Sequence, residues 1–160
     1  MDFDSFDLNL LSILQLNTRR TAEELAEEVG LSPSACLRRV RRLREAGVIE
    51  AEVAILAPRK VGRELTMVVQ VALERERADI MTAFKTAMRA TPEVMQCFYV
   101  TGDIDFVLIV TMPSMEEYER FTDRFFFQNP HVRRFTTLVV MDRVKFGFAV
   151  PVDAALVTQS

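Results

Sequence analysis

The spacing of apolar residues changes once along the chain, within residues 50–63. This change restricts the possible fold of the chain more than any other feature of the sequence. In residues 6–14, apolar side chains recur every three or four positions, as they do along one face of an α-helix. Beyond residue 63 there are short apolar runs, such as 65–73 and 104–111, bounded by turn-forming residues as β-strands are. A helical first part followed by a mixed second part predicts an α+β protein.

Three helices are predicted in the first part from their start and stop signals. The residues predicted to cap their N-termini are Asp4, Thr21 and Ser32. Asp4 and Asp7 have the spacing of a capping box, and the third helix has Pro33 at its first position. Gly30 ends the second helix just before the third begins, and the third runs to about Ala46. Two helices joined by so tight a turn are typical of a helix-turn-helix.

The third helix has an unusual charge pattern. Its arginines are Arg38, Arg39, Arg41, Arg42 and Arg44. Leu37, Val40 and Leu43 recur every three residues and are predicted to pack inward, so most of the arginines project from the opposite side. Ser34 and Ala35 in the first turn are small enough to let the helix end approach base edges. This pattern predicts a recognition helix, whose first residues read bases while later cations bind phosphates.

A solvated, charged helix face is the alternative explanation of this pattern. The acids of the second helix that would neutralise such a face are Glu23, Glu24, Glu27 and Glu28. We favour DNA because clustered like charges repel one another unless an anion lies against them. The net charge of −3 does not decide the matter, since the distribution of charge counts more than its total. The predicted DNA-binding residues are Thr21, Ser32, Ser34, Ala35, Arg38, Arg39, Arg41 and Arg42.

The second part is predicted to be a ferredoxin-like βαββαβ domain with one extra C-terminal strand. The predicted elements are strands at 65–73, 94–101, 104–111, 132–141 and 144–150 and helices at 79–90 and 115–127. Gly102 and Asp103 are predicted to form a short hairpin turn between the second and third strands. A short extended stretch, 48–56, makes the first domain a winged helix-turn-helix. The predicted boundaries are 1–50 for this domain, 51–63 for a β-extension or linker, 64–151 for the ferredoxin-like domain and 152–160 for a tail.

Several classes of protein are excluded by composition. The acidic N-terminus is not a signal peptide, and the apolar runs are too short to span a bilayer, so we expect a soluble, cytoplasmic protein associated with the nucleoid and not with a membrane. Cys36, Cys97 and the single histidine, His131, provide too few ligands for a structural metal. Both cysteines are expected to be core residues of a reduced protein, and His131 a loop residue.

Five segments of the chain together resemble the Lrp/AsnC family, the leucine-responsive or feast/famine regulators. They are residues 3–11, 24–34, 39–49, 92–94 and 100–106. The first looks like the family's opening leucine-aspartate motif, with Phe6 in place of the usual leucine before Asp7. The second resembles its helix-turn-helix, and the last two resemble its sensor domain. The likeness extends over roughly residues 3–151.

The resemblance implies particular partners and a particular site. Dimers form through paired C-terminal sheets and assemble further, to tetramers or octamers around which DNA wraps. An effector, usually an amino acid, binds between dimers near a Gly-Asp-x-Asp loop. The residues matching this site are Thr101, Gly102, Asp103 and Asp105, and Thr136 and its neighbour Thr137 are predicted to line the same pocket. A carboxylate would bind the ammonium group of such a ligand, although Gly-Asp is also what a hairpin turn requires.

The function predicted from these features is that of a sequence-specific regulator of transcription. It would bind a pseudo-palindromic operator as a symmetric oligomer, and a small molecule, expected to be an amino acid, would modulate its assembly or its DNA binding. An architectural, DNA-wrapping protein without an effector is the alternative. An enzyme is disfavoured, because the sequence has no P-loop, no Rossmann glycine pattern and no Cys–His pair suited to a nucleophile. No catalytic residue and no cofactor is therefore predicted.

Overall fold

The structure is a computed structural model that describes residues 3–74 and 77–152, and it divides the chain into two compact units. The first unit is Met1–Ala54 together with Lys145–Ser160, and the second is Ile55–Val144. The first unit is thus discontinuous in sequence, since the chain leaves it once and returns to it.

The first unit contains the three predicted helices. They are α1 (Ser5–Leu14), α2 (Ala22–Val29) and α3 (Pro33–Glu45). Capping boxes begin α1 and α2, and the Ser32 hydroxyl caps α3 by accepting a bond from the N–H of Ala35. Gly30 ends α2 with φ +77°, a left-handed conformation that favours glycine. The helix-turn-helix and its caps are therefore confirmed.

The apolar face of α3 differs from the prediction by one position. Cys36, Val40 and Leu43 are buried, whereas Leu37 is 53% exposed. Positions 36, 40 and 43 follow the i, i+4, i+7 rule and remain on one face at 3.6 residues per turn, whereas a strict spacing of three drifts around the helix. Leu10, Leu14 and other buried residues of α1 and α2 complete this core, so the prediction of Cys36 as a core residue is confirmed.

The second unit has the predicted ferredoxin-like order of elements. Its strands are β1 (Leu65–Leu73), β2 (Val94–Tyr99), β3 (Phe106–Met112) and β4 (Val132–Val139), and its helices are α4 (Ala78–Arg89) and α5 (Met115–Thr122). The strands form one antiparallel sheet in the order β2-β3-β1-β4. A 3₁₀ turn at Pro58–Val61 precedes β1.

The two faces of the sheet have different surroundings. One face contacts α4 and α5 and forms the core, with fully buried side chains such as Met67 and Phe106. On the other face, Val68, Val107 and Ile109 are only partly buried, and Phe98 and Leu138 are each 50% exposed. We call this second face the open sheet face.

Four details of the chain beyond residue 50 differ from the predictions. Residues 144–150 do not form a strand. The stretch 51–57 carries no strand in the described chain, so the β-extension is not observed. Residues 100–105 form a loop wider than the predicted two-residue turn. The helix predicted over 115–127 changes to a π-helical turn at Asp123–Phe127.

The C-terminal segment alternates apolar residues as a strand does, but a strand also needs a partner. The side-chain amide of Gln15, the C-cap residue of α1, takes the place of such a partner. Its Nε2 donates to the carbonyl of Val150 at 3.0 Å, and its Oε1 accepts from the N–H of Val150 at 2.9 Å. No helix in the part of the chain described by the structure has the length and apolar character needed to cross a membrane.

Candidate functional site

The start of α3 presents a small, polar surface. The Ser32 hydroxyl accepts a bond from the N–H of Ala35 at 3.3 Å and lies 3.2 Å from the Ser34 hydroxyl. Ser32 and Ser34 are exposed, and Ala35 is partly buried. Thr21 caps the preceding helix α2, where its hydroxyl accepts from the N–H of Glu24 at 3.2 Å. Helix N-termini with exposed hydroxyl groups suit binding to phosphate oxygens.

Two of the α3 arginines are bound by carboxylates of α1. Nη1 of Arg39 lies 2.9 Å from Oδ1 of Asp7 and 2.8 Å from Oδ2 of Asp4. Nη2 of Arg42 donates to Oδ2 of Asp7, which is 1% exposed. Hydrogen bonds to Asp7 and Asp4 raise the pKa of Arg39 above its ordinary value, and its guanidinium also lies 5.4 Å from the ring centre of Phe6. We call Asp4, Asp7, Arg39 and Arg42 the α1–α3 ion cluster.

The remaining arginines of α3 have different surroundings. Arg44 forms a two-bond ion pair with Glu52, at 2.8 and 2.9 Å. Arg38 and Arg41 are exposed, and neither has an ion pair with any residue in the described ranges. They lie three positions apart and therefore share one face of the helix. The structure thus separates the predicted arginines into two that have no ion pair within the described residues and three that have carboxylate partners, although Arg42 and Arg44 are also exposed.

The acids of α2 do not neutralise α3 in the described structure. Their ion pairs are with Arg20, which lies 3.0 Å from Glu28 and 3.8 Å from Glu24. The alternative explanation, an α3 face balanced by the acids of α2, therefore lacks the contacts it requires. The three α3 arginines that have ion pairs are neutralised instead by Asp4, Asp7 and Glu52.

Sequence reasoning missed the role of Asp7 as a partner of two arginines. A signal was present, because Asp7, Leu10 and Leu14 have the i, i+3, i+7 spacing of one helix face. A carboxylate among buried leucines requires a cation or hydrogen-bond donors. The sequence shows that need, whereas the identity of the partner depends on how the helices pack.

The loop of residues 100–105 is the second candidate site. Gly102 has φ +119°, and Thr101, Gly102 and Asp103 are exposed. Asp103 has no hydrogen-bond or ion-pair partner within the described residues, so its carboxylate is open to a ligand. Asp105 differs, because its Oδ2 accepts from the N–H of Leu73 at 2.6 Å and its own N–H donates to the carbonyl of Val71 at 2.9 Å. Asp105 thus fastens the loop to the end of β1.

The structure does not bring Thr136 beside this loop. Thr136 lies opposite Gln70 on β4, on the open sheet face, and β1 separates β4 from the strand that follows the loop. Neighbouring strands are about 4.8 Å apart, so the sheet alone keeps the two roughly 10 Å apart. Thr137 points to the opposite face, where its hydroxyl is hydrogen-bonded to that of Tyr118.

A separate pocket of about 320 Å³ lies beside α4 in the second unit. Its walls include Ile80, Phe84 and Phe125, and its polar lining includes Asn129 and the exposed His131. None of the predicted effector-binding residues lines it. No group of three or more metal-ligating side chains occurs in residues 3–74 and 77–152, and Cys36 and Cys97 are free.

A capped helix-turn-helix with open arginines, joined to a ferredoxin-like α+β domain, defines the class of two-domain DNA-binding regulators. The family model for the AsnC-type helix-turn-helix domain matches residues 3–44, and the model for the Lrp/AsnC ligand binding domain matches residues 66–150. The chain belongs to the Lrp/AsnC family of transcription regulators.

Individual relatives agree with this assignment. An uncharacterised HTH-type transcriptional regulator, y4tD, from Sinorhizobium fredii is 59% identical over 96% of this chain and 90% of its own length. The leucine-responsive regulatory protein of Escherichia coli is 37% identical over 90% of this chain and 88% of its own. The crystal structure of transcriptional regulator NMB0573 in complex with L-Met, from Neisseria meningitidis, superposes with a TM-score of 0.90 at 31% identity, over 96% of this chain and 99% of that one.

Proposed function

We propose that this regulator binds a pseudo-palindromic DNA operator through α3 and that an amino acid bound to the second unit modulates its assembly or its affinity for DNA. The observation that carries the proposal is the pair Arg38 and Arg41, exposed and without ion-pair partners in the described structure. They follow directly on the small first turn of α3, the part of a recognition helix that enters the major groove.

The contacts with DNA follow from this arrangement. Ser34 and Ala35 would approach base edges, while Arg38 and Arg41 would bind bases or phosphates. Ser32 and Thr21, at the starts of α3 and α2, would bind phosphates through hydroxyl and N–H groups. Arg39 and Arg42 also belong to the predicted set, but the α1–α3 ion cluster occupies their guanidinium groups in the free protein.

Self-association through the open sheet face would supply the symmetry that the operator requires. Val68, Val107, Ile109, Phe98 and Leu138 form an apolar surface that the described chain does not cover. Two copies joined in this way would present two recognition helices to two half-sites. Higher assembly, to tetramers or octamers, is proposed from the family resemblance.

The loop of residues 100–105 is the proposed effector site. The open carboxylate of Asp103 would bind the ammonium group of an amino acid, and N–H groups around Thr101 and Gly102 would bind its carboxylate. The Neisseria relative crystallised with L-Met, which favours an amino acid as the ligand class. Because β1 keeps Thr136 away from this loop, Thr136 would take part only where a second copy completes the site.

The DNA proposal is tested by fluorescence anisotropy with DNA from upstream of the regulator's own gene, across a range of salt concentrations. Arg38→Gln/Arg41→Gln should weaken binding and reduce the slope of log K against log salt by about 0.9 for each phosphate that the variant no longer neutralises. Arg89→Gln, which removes an exposed arginine from α4, is the control and should leave the slope unchanged. Equal affinity of the double variant and the unchanged protein would refute the role of this pair.

The effector proposal is tested by calorimetry with each of the twenty amino acids, followed by DNA binding in the presence of the one that binds. Asp103→Asn should abolish the heat of binding while leaving DNA affinity without ligand intact, and Asp142→Asn is the charge-matched control. DNA binding with no response to any amino acid would favour the alternative function, an architectural protein that wraps DNA without an effector.

A further inference from the structure

The carboxylate of Asp7 is buried between α1 and α3, and both of its oxygens are bound by arginines of α3. Oδ1 accepts from Arg39 at 2.9 Å, and Oδ2 accepts from Arg42. Asp4 binds Arg39 as well, with two oxygens at 2.8 and 2.9 Å. Within the described residues, Arg42 therefore depends on Asp7 alone for its ion pair, whereas Arg39 has two carboxylate partners.

The side chain of Arg42 remains partly accessible even though it is ion-paired. It is 46% exposed, compared with 21% for Arg39. Position 42 lies about 100° around the helix from position 41, so Arg42 borders the face that presents Arg38 and Arg41. A long arginine side chain at this border is able to reach a phosphate once its carboxylate partner is removed.

A buried carboxylate bound in this way resembles a DNA phosphate in charge and in hydrogen-bonding geometry. Arginine binds carboxylate and phosphate through the same planar donors. Contacts of arginine with phosphates add affinity that is independent of sequence. An arginine whose donors bind an internal carboxylate is not available to a phosphate, so such a carboxylate would reduce the part of the DNA affinity that is independent of sequence.

We propose that Asp7 is a positioning residue that sets DNA specificity, because it holds Arg42, together with Arg39, against α1 and leaves Arg38 and Arg41 as the arginines that α3 offers to DNA. The inference rests on the proposed function, in which α3 binds DNA. It assigns to Asp7, a buried residue of α1, control over the number of phosphates that α3 neutralises.

The first test replaces Asp7 by asparagine in the full-length chain. The amide has nearly the same shape but no charge, so Arg42 is released. We expect the salt slope of binding to random-sequence DNA to become steeper by about 0.9 for each recognition helix, and the ratio of operator to random affinity to fall. Asp7→Glu should keep the original slope, and Asp79→Asn, an exposed charge change on α4, should leave slope and ratio unchanged. Asp7→Asn/Arg42→Gln should restore the original slope.

The second test does not depend on the folding of Asp7→Asn. Arg41→Gln and Arg42→Gln are compared in the otherwise unchanged protein, with thermal unfolding as the measure of stability. We expect Arg41→Gln to reduce the salt slope by about 0.9 for each recognition helix and Arg42→Gln to leave it nearly unchanged. Equal reductions by the two variants would overturn the role of Asp7 but leave DNA binding by α3 intact. Absence of salt-sensitive DNA binding in the unchanged protein would refute both the role of Asp7 and the proposed binding of DNA by α3.

Discussion

The N–H of Asp7 and the guanidinium of Arg39 both bind the Asp4 carboxylate, and they hold the pKa of that carboxyl below its ordinary value against the opposing effect of burial. In the unfolded chain these partners are absent, so the carboxyl there has an ordinary pKa of about 3.9. The contribution of Asp4 to stability is therefore present above that pKa and is lost as the pH falls through the lower, folded-state value.

We therefore expect Asp4→Asn to be less stable than the unchanged protein at pH 6, and we expect the difference to disappear as the pH falls through the lowered folded-state pKa, where the carboxyl becomes protonated in both states. Urea unfolding followed by circular dichroism at several pH values measures the difference. Asp142→Asn, an exposed residue of the second unit, serves as the control. A stability difference that did not change with pH would show that the ion cluster has no part in it.

Sequence alone identified the arginines of α3 but not the roles that separate them. Charge and helical spacing place all five on one helix, and these properties are local. Arg39 and Arg42 differ from Arg38 and Arg41 because they are bound by carboxylates of α1 and its cap. Those carboxylates lie more than thirty residues earlier in the chain. Contacts between residues so far apart in sequence depend on how the helices pack, and the spacing of residues within one helix does not specify that packing. Asp105 is a similar case, because its bond to the N–H of Leu73 depends on the pairing of β1 with β3.

Single elements were predicted well wherever their limits are determined by local chemistry. The predicted strand over 65–73 coincides with β1, and the caps at Thr21 and Ser32 act as predicted. The prediction of a strand over residues 144–150 was wrong for a physical reason. Alternation of apolar side chains shows that a segment is suited to a strand, but a strand forms only where an edge with free N–H and C=O groups meets it. In the described chain, the N–H and C=O groups of Val150 are hydrogen-bonded to the side-chain amide of Gln15 instead.

The turn between α2 and α3 provides a prediction for an element. Gly30 has φ +77°, and a side chain added there would meet no atom within 4 Å, so the cost of Gly30→Ala is conformational alone. We expect a loss of about 1–2 kcal/mol in the free energy of unfolding, measured by urea denaturation. Gly147→Ala is the matched control, because that position also has open space and has no left-handed backbone conformation. Equal stability of Gly30→Ala and Gly147→Ala would contradict the assignment of a left-handed helix end.

For the whole molecule, the distribution of apolar surface matters most. The ferredoxin-like topology covers one face of the sheet with α4 and α5 and leaves the open sheet face with half-exposed Phe98 and Leu138. The strand order was predictable from the order of elements, but the identity of the uncovered face required the register of every strand. An uncovered apolar surface on a folded domain marks an interaction site.

We expect Leu138→Lys to shift the protein toward monomer, because a buried, unpaired ammonium group in an apolar interface is costly. Analytical ultracentrifugation measures the association constant. Met115→Lys is the matched control, since Met115 is 48% exposed but lies on α5, away from the open sheet face. If both variants associated as the unchanged protein does, the proposed dimer surface would have to lie elsewhere.

The discontinuous first unit has a mechanical consequence. The chain passes between the units twice, at residues 54–55 and again at residues 144–145. A single protease cut in either passage leaves the two units joined through the other. The covalent connection between the units is therefore lost only after both passages have been cut.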